Sequence, residues 1–353
     1  MTRVSGTVRP AKSGTVRVLL VDRGQGSLPE QARPLFASGE LVKAGAGADY
    51  GSALAAALSA QPDILVVDLG SAEALSAVEA VMAERPTPIL GLYDARQPAS
   101  SRVDPFRALA LGALDVAALP EAPAGWAELC KRLLLLAQVR VVQHVQGKLR
   151  KKGRVALSTP ASRGPPFPLV AIAASLGGPR ALSQILRTIP HGFPAPFVIC
   201  QHISSGFTEG LAQWLSAESA LQVMEARDGD LLKPGRAFIA PSGSHLLVLG
   251  DAHLRLDPGP PIQGFRPSCD ALLTSAAETF GRRAIGVVLT GMGRDGARGL
   301  KDIRSRGGHT VVQDEGSCVV FGMPGEAVSL GAAEEVLPLD EIAGALIRLV
   351  SRC

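Results

Sequence analysis

Aromatic side chains are scarce in this chain: 4% of 353 residues, with two Trp and two Tyr. A surface that stacks successive bases needs several, so a single-stranded nucleic-acid platform is a poor fit. Charge of one sign is lacking as well. The 36 Lys and Arg nearly cancel the 32 Asp and Glu, and the net +4 is too small for the basic footprint of a DNA-binding protein. No apolar run reaches the ~18 residues of a spanning helix, so no membrane insertion is expected. The opening M-T-R-V-S-G-T-V-R-P-A-K-S-G carries charge but no apolar core, unlike a secretory signal. Cysteine is sparse and scattered, at Cys130, Cys200, Cys269, Cys318 and Cys353, without a C-x-x-C pair. Reduced thiols in a cytoplasmic protein are expected, with neither a disulfide framework nor a metal site.

What is present is an ordinary globular balance, 46% apolar and 19% charged, in a chain long enough for two domains. Residues 1–14 read as a mildly basic disordered tail. From there to about 120, apolar strands alternate with helices. The strands are Val16 to Asp22, Glu40 to Ala44, Asp63 to Leu69, Pro88 to Tyr93 and Ala113 to Pro120; helices are expected near 28–38, 50–60, 72–84 and 103–111. Five such units predict a doubly wound, flavodoxin-like parallel sheet with ligands at its carboxyl edge. One long helix is expected over 124–152, ending in the basic K-L-R-K-K-G-R. The expected domains are thus 15–147, a linker over 148–168 rich in Pro, Ser and Gly, and a second α/β domain over 169–353.

In the second domain, L-V-A-I-A-A-S-L-G-G-P-R-A-L (Leu169 to Leu182) reads as a buried strand ending at Ser175, a glycine turn and a helix start. A serine there is exposed and close to free N–H groups, as a nucleophile and its oxyanion require; a turn that holds a phosphate is the alternative. P-F-V-I-C-Q-H-I ends at His202, and R-A-I-G-V-V-L-T runs into G-M-G-R-D-G with Asp295. T-V-V-Q-D (Thr310 to Asp314) is expected to close the strand series. Parallel strand ends converge at one sheet edge, so a hydroxyl, an imidazole and an acid could meet there. A serine is a weak nucleophile until an imidazole takes its proton, and the imidazole needs an acid to hold its tautomer. Spacing alone leaves His191, His245, His253 and His309 as rival bases.

Two resemblances add to this reading. The N-terminal half is similar to a response-regulator receiver, with Asp68 at the phospho-acceptor position and Asp22 at one of the two acids that hold magnesium. It departs from the pattern at Arg23 (second acid), Tyr93 (small hydroxyl residue) and Leu119 (lysine). Magnesium needs several oxygen ligands, and phosphoryl transfer needs positive charge on the equatorial oxygens. The departures remove both supports, so a degenerate receiver is expected, kept for docking, with Arg23 neutralising Asp68. The C-terminal half resembles the catalytic domain of the chemotaxis protein-glutamate methylesterases, the CheB family. The motifs are A-S-L-G-G-P, Q-H-I-S-S-G-F-T, F-R-P-S-C-D, V-V-L-T-G-M-G-R-D-G and S-C-V-V-F-G-M-P.

The second resemblance implies Ser175 as nucleophile, His202 as base and Asp295 as orienting acid. It implies oxyanion donors at the N–H of Met292 and of His202, and substrate contacts at Arg266, Phe321 and Met323. Leu176 stands where the family has Thr, which removes a hydroxyl beside the nucleophile. The implied reaction is hydrolysis of glutamate γ-methyl esters on methyl-accepting chemoreceptors, with glutamine deamidation by the same acyl chemistry and no cofactor. A histidine kinase or another signalling protein is the expected partner of the receiver.

Overall fold

The computed structural model describes residues 15–24, 27–97, 103–139, 141 and 167–353. The expected tail over 1–14 and nearly all of the expected linker lie outside them, as does the basic run at 148–154. The chain divides into two compact units, Met1–Gly147 and Lys148–Cys353.

The first unit runs β1 (Val16–Asp22), α1 (Ser27–Gln31), a 3-10 turn (Arg33–Phe36), β2 (Leu41–Lys43), β3 (Ala48–Asp49), α2 (Ala53–Ala60), β4 (Ile64–Asp68), α3 (Glu73–Glu84), β5 (Ile89–Tyr93), α4 (Pro105–Ala110), β6 (Asp115–Ala118) and α5 (Pro123–Leu136). The sheet order is β2-β1-β4-β5-β6, every pairing parallel, with the two-residue β3 also joined to β1. This is the receiver-like five-stranded arrangement. Ile64 to Val67 and Ile89 to Leu92 are buried as continuous runs, because helices cover both faces of a parallel sheet.

Two helix expectations change. The stretch 28–38 breaks into a short helix and a 3-10 turn, since Pro34 has no N–H to donate to a continuing helix. The helix expected over 124–152 ends at Leu136. Its buried positions, Trp126, Leu129, Leu133 and Leu136, stop there, and the side chain of Gln138 donates back to the Leu134 carbonyl at 3.1 Å.

The second unit runs β7 (Leu169–Ala174), α6 (Gly178–Thr188), β8 (Phe197–Gln201), α7 (Thr208–Glu218), β9 (Gln222–Glu225), β10 (Arg236–Ile239), β11 (His245–Val248), β12 (Leu254–Asp257), α8 (Cys269–Phe280), β13 (Ala284–Val288), α9 (Ala297–Ser305), β14 (His309–Gln313), α10 (Met323–Ser329), β15 (Glu335–Leu337) and α11 (Leu339–Val350). Seven parallel strands form one sheet in the order β15-β14-β13-β7-β8-β10-β9, and β11 and β12 make a separate antiparallel pair. β14 therefore does not close the series. β15 lies outside it, three residues long and only partly buried, too short to show a period in sequence. α8 and α9 seal one face around Leu272, Leu273, Ala276, Leu300 and Ile303.

Chain order reverses between β7 and β13, which are neighbours in the sheet. Such a switch point opens a crevice at the carboxyl ends of the strands. In the first sheet the corresponding reversal falls between β1 and β4, beside Asp22 and Asp68.

Candidate active site

The switch point in the second sheet fixes where Ser175 stands. Its N–H donates to the Thr290 carbonyl beyond β13 (3.1 Å), and its own carbonyl accepts from Gly178 N–H (2.8 Å). The chain then turns through Gly177 at φ +78°, where a Cβ would come within 2.6 Å of Val319. Only glycine tolerates that combination of positive φ and contact. On the opposite side, Ala174 pairs with Gln201 on β8, so the next residues, Ser175 and His202, lie side by side at the strand ends.

Gln201 lies in the motif Q-H-I-S-S-G-F-T, where the sequence alone points to no role for it. It is 2% exposed, and its Nε2 donates both to the Ser175 carbonyl (2.7 Å) and to the His202 carbonyl (2.9 Å). One buried amide thus ties the two backbones together.

His202 meets Asp295 as the strand ends suggested. The His202 Nε2 to Asp295 Oδ2 distance is 3.0 Å, with the side chains 10% and 1% exposed. Asp295 also accepts from Ser268 Oγ (2.9 Å) and from the N–H groups of Cys269 (2.7 Å) and Asp270 (2.9 Å). Burial works against its charge, but the His202 and backbone hydrogen bonds outweigh it and hold the carboxyl below its ordinary range. At His202, burial disfavours the cation, and the Cys269 sulfur and the Asp295 carboxylate push the other way; the net direction is up. Burial also raises Cys269 well above an ordinary thiol. It is therefore neutral near pH 7, and the upward push on His202 that persists there comes from Asp295. Phe265 stacks on the imidazole at a centroid distance of 4.1 Å and 1° between planes, which fixes the ring's rotation. Phe265, Ser268 and Asp270 all belong to F-R-P-S-C-D, so the motif was visible although their roles were not. Asp270 accepts from Gly296 and Gly299 N–H (2.9 and 3.0 Å) and so anchors the turn that carries Asp295.

Ser175 itself is partly buried, and among the described residues no hydrogen bond joins its hydroxyl to His202. His202 Nδ1 is buried and has no hydrogen-bond partner there. The ring nitrogen not engaged by Asp295 is thus the one left to receive a proton.

Two expected contacts differ in the structure. The N–H of His202 donates to the Ala174 carbonyl (3.0 Å) as part of the strand ladder, so it is not an oxyanion donor. Met323 is 0% exposed and lies beneath Gly291, where its sulfur fills the space a Cβ would need, so it supports the turn and does not touch substrate. Arg266 is exposed; its Nη1 donates to the carbonyls of Pro258 and Gly259 (both 3.1 Å), and the rest of its guanidinium stays open to a substrate contact. Phe321 is partly buried and bridges to Gly291, next to Met292. Met292 is partly buried, and its N–H makes no hydrogen bond among the described residues.

The rival histidines lie elsewhere or are already engaged. His309 pairs with Glu334 and His253 with Asp251, while His191 is exposed. His245 contacts Ser268, but its Nδ1 accepts the backbone N–H of Ser268 (3.1 Å) and its Nε2 lies 3.1 Å from the Pro260 carbonyl. The Ser268 hydroxyl is fully buried and given to Asp295, so this pair has no free nucleophile.

A family model described as CheB methylesterase matches residues 170–346. Along almost the whole chain, the protein-glutamate methylesterase FrzG of Myxococcus xanthus is 54% identical over 340 residues, covering 96% of this chain and 99% of the relative. The chain belongs to the CheB methylesterase family. A protein-glutamate methylesterase/protein-glutamine glutaminase of Anaeromyxobacter dehalogenans is 48% identical over 340 residues, covering 95% of this chain and 97% of its own. The crystal structure of the Thermotoga maritima CheB methylesterase catalytic domain aligns at 42% identity with a TM-score of 0.51, covering 52% of this chain and 99% of that one.

The receiver-like half of this CheB-family chain has a second acidic edge. Asp22 is 4% exposed, and both carboxylate oxygens accept backbone N–H groups, from Gly24 (2.7 Å) and Leu28 (3.2 Å). Asp68 accepts from Gly70 N–H (3.1 Å). Burial raises its pKa, and Gly70 and the Arg23 guanidinium only partly offset the rise. Tyr93, where a small hydroxyl residue was expected, is buried to 2%. A magnesium ion needs near-octahedral oxygen ligation. Here both oxygens of Asp22 accept a backbone donor and an arginine stands in place of the second acid, so the edge offers fewer free carboxylate oxygens than the two-acid pattern.

Proposed function

We propose that the chain hydrolyses glutamate γ-methyl esters on the cytoplasmic helices of chemoreceptors, with Ser175, His202 and Asp295 as the catalytic triad. The observation that carries the reading is the His202–Asp295 hydrogen bond of 3.0 Å at the end of the strand beside Ser175. Ser175 Oγ attacks the ester carbonyl and passes its proton to Nδ1 of His202, while Nε2–H remains on Asp295. The imidazolium then protonates the departing methoxide, which leaves as methanol. Water enters by the same base catalysis and releases the glutamate carboxylate. With a glutamine side chain the leaving group is ammonia, so deamidation follows from the same acyl chemistry. The N–H of Met292 supports oxyanion stabilisation, Phe321 beside it is a substrate contact, and no metal takes part. The buried Leu176 loses only a side-chain hydroxyl, since its backbone carbonyl still accepts from Thr290 Oγ1 (2.9 Å).

The receiver-like half is proposed as a docking module for a histidine kinase or another signalling protein, with control of the esterase that does not pass through phosphorylated Asp68. A non-catalytic adaptor is the competing class of function. The test is methanol release from methyl-labelled receptor membranes. Wild type releases label and Ser175→Ala does not; equal release from both would remove the enzyme reading.

A further inference from the structure

Two cysteines flank the imidazole of His202, and the triad chemistry uses neither thiol. Cys200 and His202 are two residues apart on β8 and its extension, so their side chains leave the same face of the sheet. Cys269 opens α8, which packs on that face. The sulfur atoms of Cys200 and Cys269 and a ring nitrogen of His202 all lie within 4.8 Å of one another. His202 Nε2 is 3.5 Å from Cys269 Sγ and 3.0 Å from Asp295 Oδ2. Tetrahedral zinc, with Zn–S of about 2.3 Å and Zn–N of about 2.0–2.1 Å, sets neighbouring donor atoms roughly 3.5 Å apart. The spacing found here needs only small shifts to reach that geometry.

We infer that Cys200, His202 and Cys269 form a site for a soft or borderline divalent cation such as Zn²⁺, with Asp295 as fourth ligand. Two thiols, an imidazole and a carboxylate make a set that thiophilic ions select over magnesium or calcium. Binding replaces the proton on each thiol with a metal–sulfur bond, so two protons pass to solvent and the site gains no net positive charge. The metal takes Nε2 of His202, the nitrogen that otherwise donates to Asp295, and holds the imidazole as a ligand. The ring can then no longer alternate between base and acid. Occupancy therefore inhibits the esterase. Binding itself does not depend on the proposed function; only its inhibitory consequence does.

The experiment uses the full chain, stripped of metal with a chelator and titrated with Co²⁺. Wild type is expected to take one equivalent and to show thiolate-to-cobalt absorption in the near ultraviolet with tetrahedral d–d bands in the visible. Zn²⁺ should bleach both. Cys200→Ala and the better-filling Cys200→Val should lose the bands, with folding checked by circular dichroism. In the methanol assay, one equivalent of Zn²⁺ should abolish wild-type release, while Cys200→Val keeps its basal rate and resists the metal. Absence of thiolate–cobalt absorption in wild type, or its persistence in both Cys200 variants, overturns the site. Bands that vanish in the variants while no protein releases methanol would uphold the site and reject the proposed function.

Discussion

Two switch-point edges lie at the carboxyl ends of two parallel sheets in one chain, and they are built differently. At the edge of the second sheet every charged group has a partner that suits a reaction. Asp295 is held by three donors besides His202, His202 is stacked on Phe265, and the ring nitrogen away from Asp295 has no hydrogen-bond partner among the described residues. At the edge of the first sheet the acids meet backbone donors and a nearby cation, with no imidazole among the described residues there. Asp22 caps the turn after β1, and Asp68 sits with Gly70 and the Arg23 guanidinium. Both edges share a topology and carry acids at strand ends. What separates them is the imidazole held by Asp295, whose other nitrogen has no hydrogen-bond partner among the described residues.

Substitutions at each edge test this difference. The largest effect is expected at Asp295. Asp295→Asn should lower kcat by roughly 10³–10⁴-fold, because the imidazole loses the partner that sets its tautomer. Its pH profile should move with it. Asp295 raises the pKa of His202, so the rising limb of kcat/KM in wild type should lie above that of the variant. Removing the negative charge lowers the base's pKa and shifts that limb to lower pH. A limb that stays in place would sever the link between the two residues.

A smaller effect is expected at Gln201. Gln201→Leu leaves the His202 carbonyl without its donor and frees the Ser175 backbone to shift. The expected loss is on the order of 10²-fold in kcat with KM nearly unchanged, along with about 1–3 kcal/mol of stability for the unsatisfied buried group. Loss of stability with unchanged kcat would make the residue purely structural. The smallest effect is expected at the other edge. Acetyl phosphate with magnesium should leave methanol release unchanged, and Asp68→Ala should leave it unchanged again. Clear stimulation that Asp68→Ala abolishes would place the two edges on a par.

Much of this site was legible because parallel sheets put function at strand ends, and strand ends can be read where an apolar run meets a polar residue or glycine. Ser175, His202 and Asp295 each follow such a run. The His202 N–H illustrates the limit. It was expected to bind an oxyanion, but at the end of a strand the same N–H can continue the ladder, and it does so with Ala174. Met323 failed for a related reason, since a motif position does not say whether a side chain faces the cleft or the core.

The sequence by itself determined the alternation of strands and helices, the two-domain division and the residues available for chemistry, because hydrophobic period and turn residues are local properties. Tertiary structure alone decided which of those residues meet. Cys200 and Cys269 are 69 positions apart and fall in no metal-binding pattern, yet β8 and α8 bring their sulfurs to one imidazole. Asp22 and Asp295 both follow buried strands and both accept a backbone donor on each oxygen, and only the folded chain shows that the second also meets an imidazole. Which side chains meet depends on neighbours distant in sequence, and that separates an acid that only caps a turn from one that also orients an imidazole.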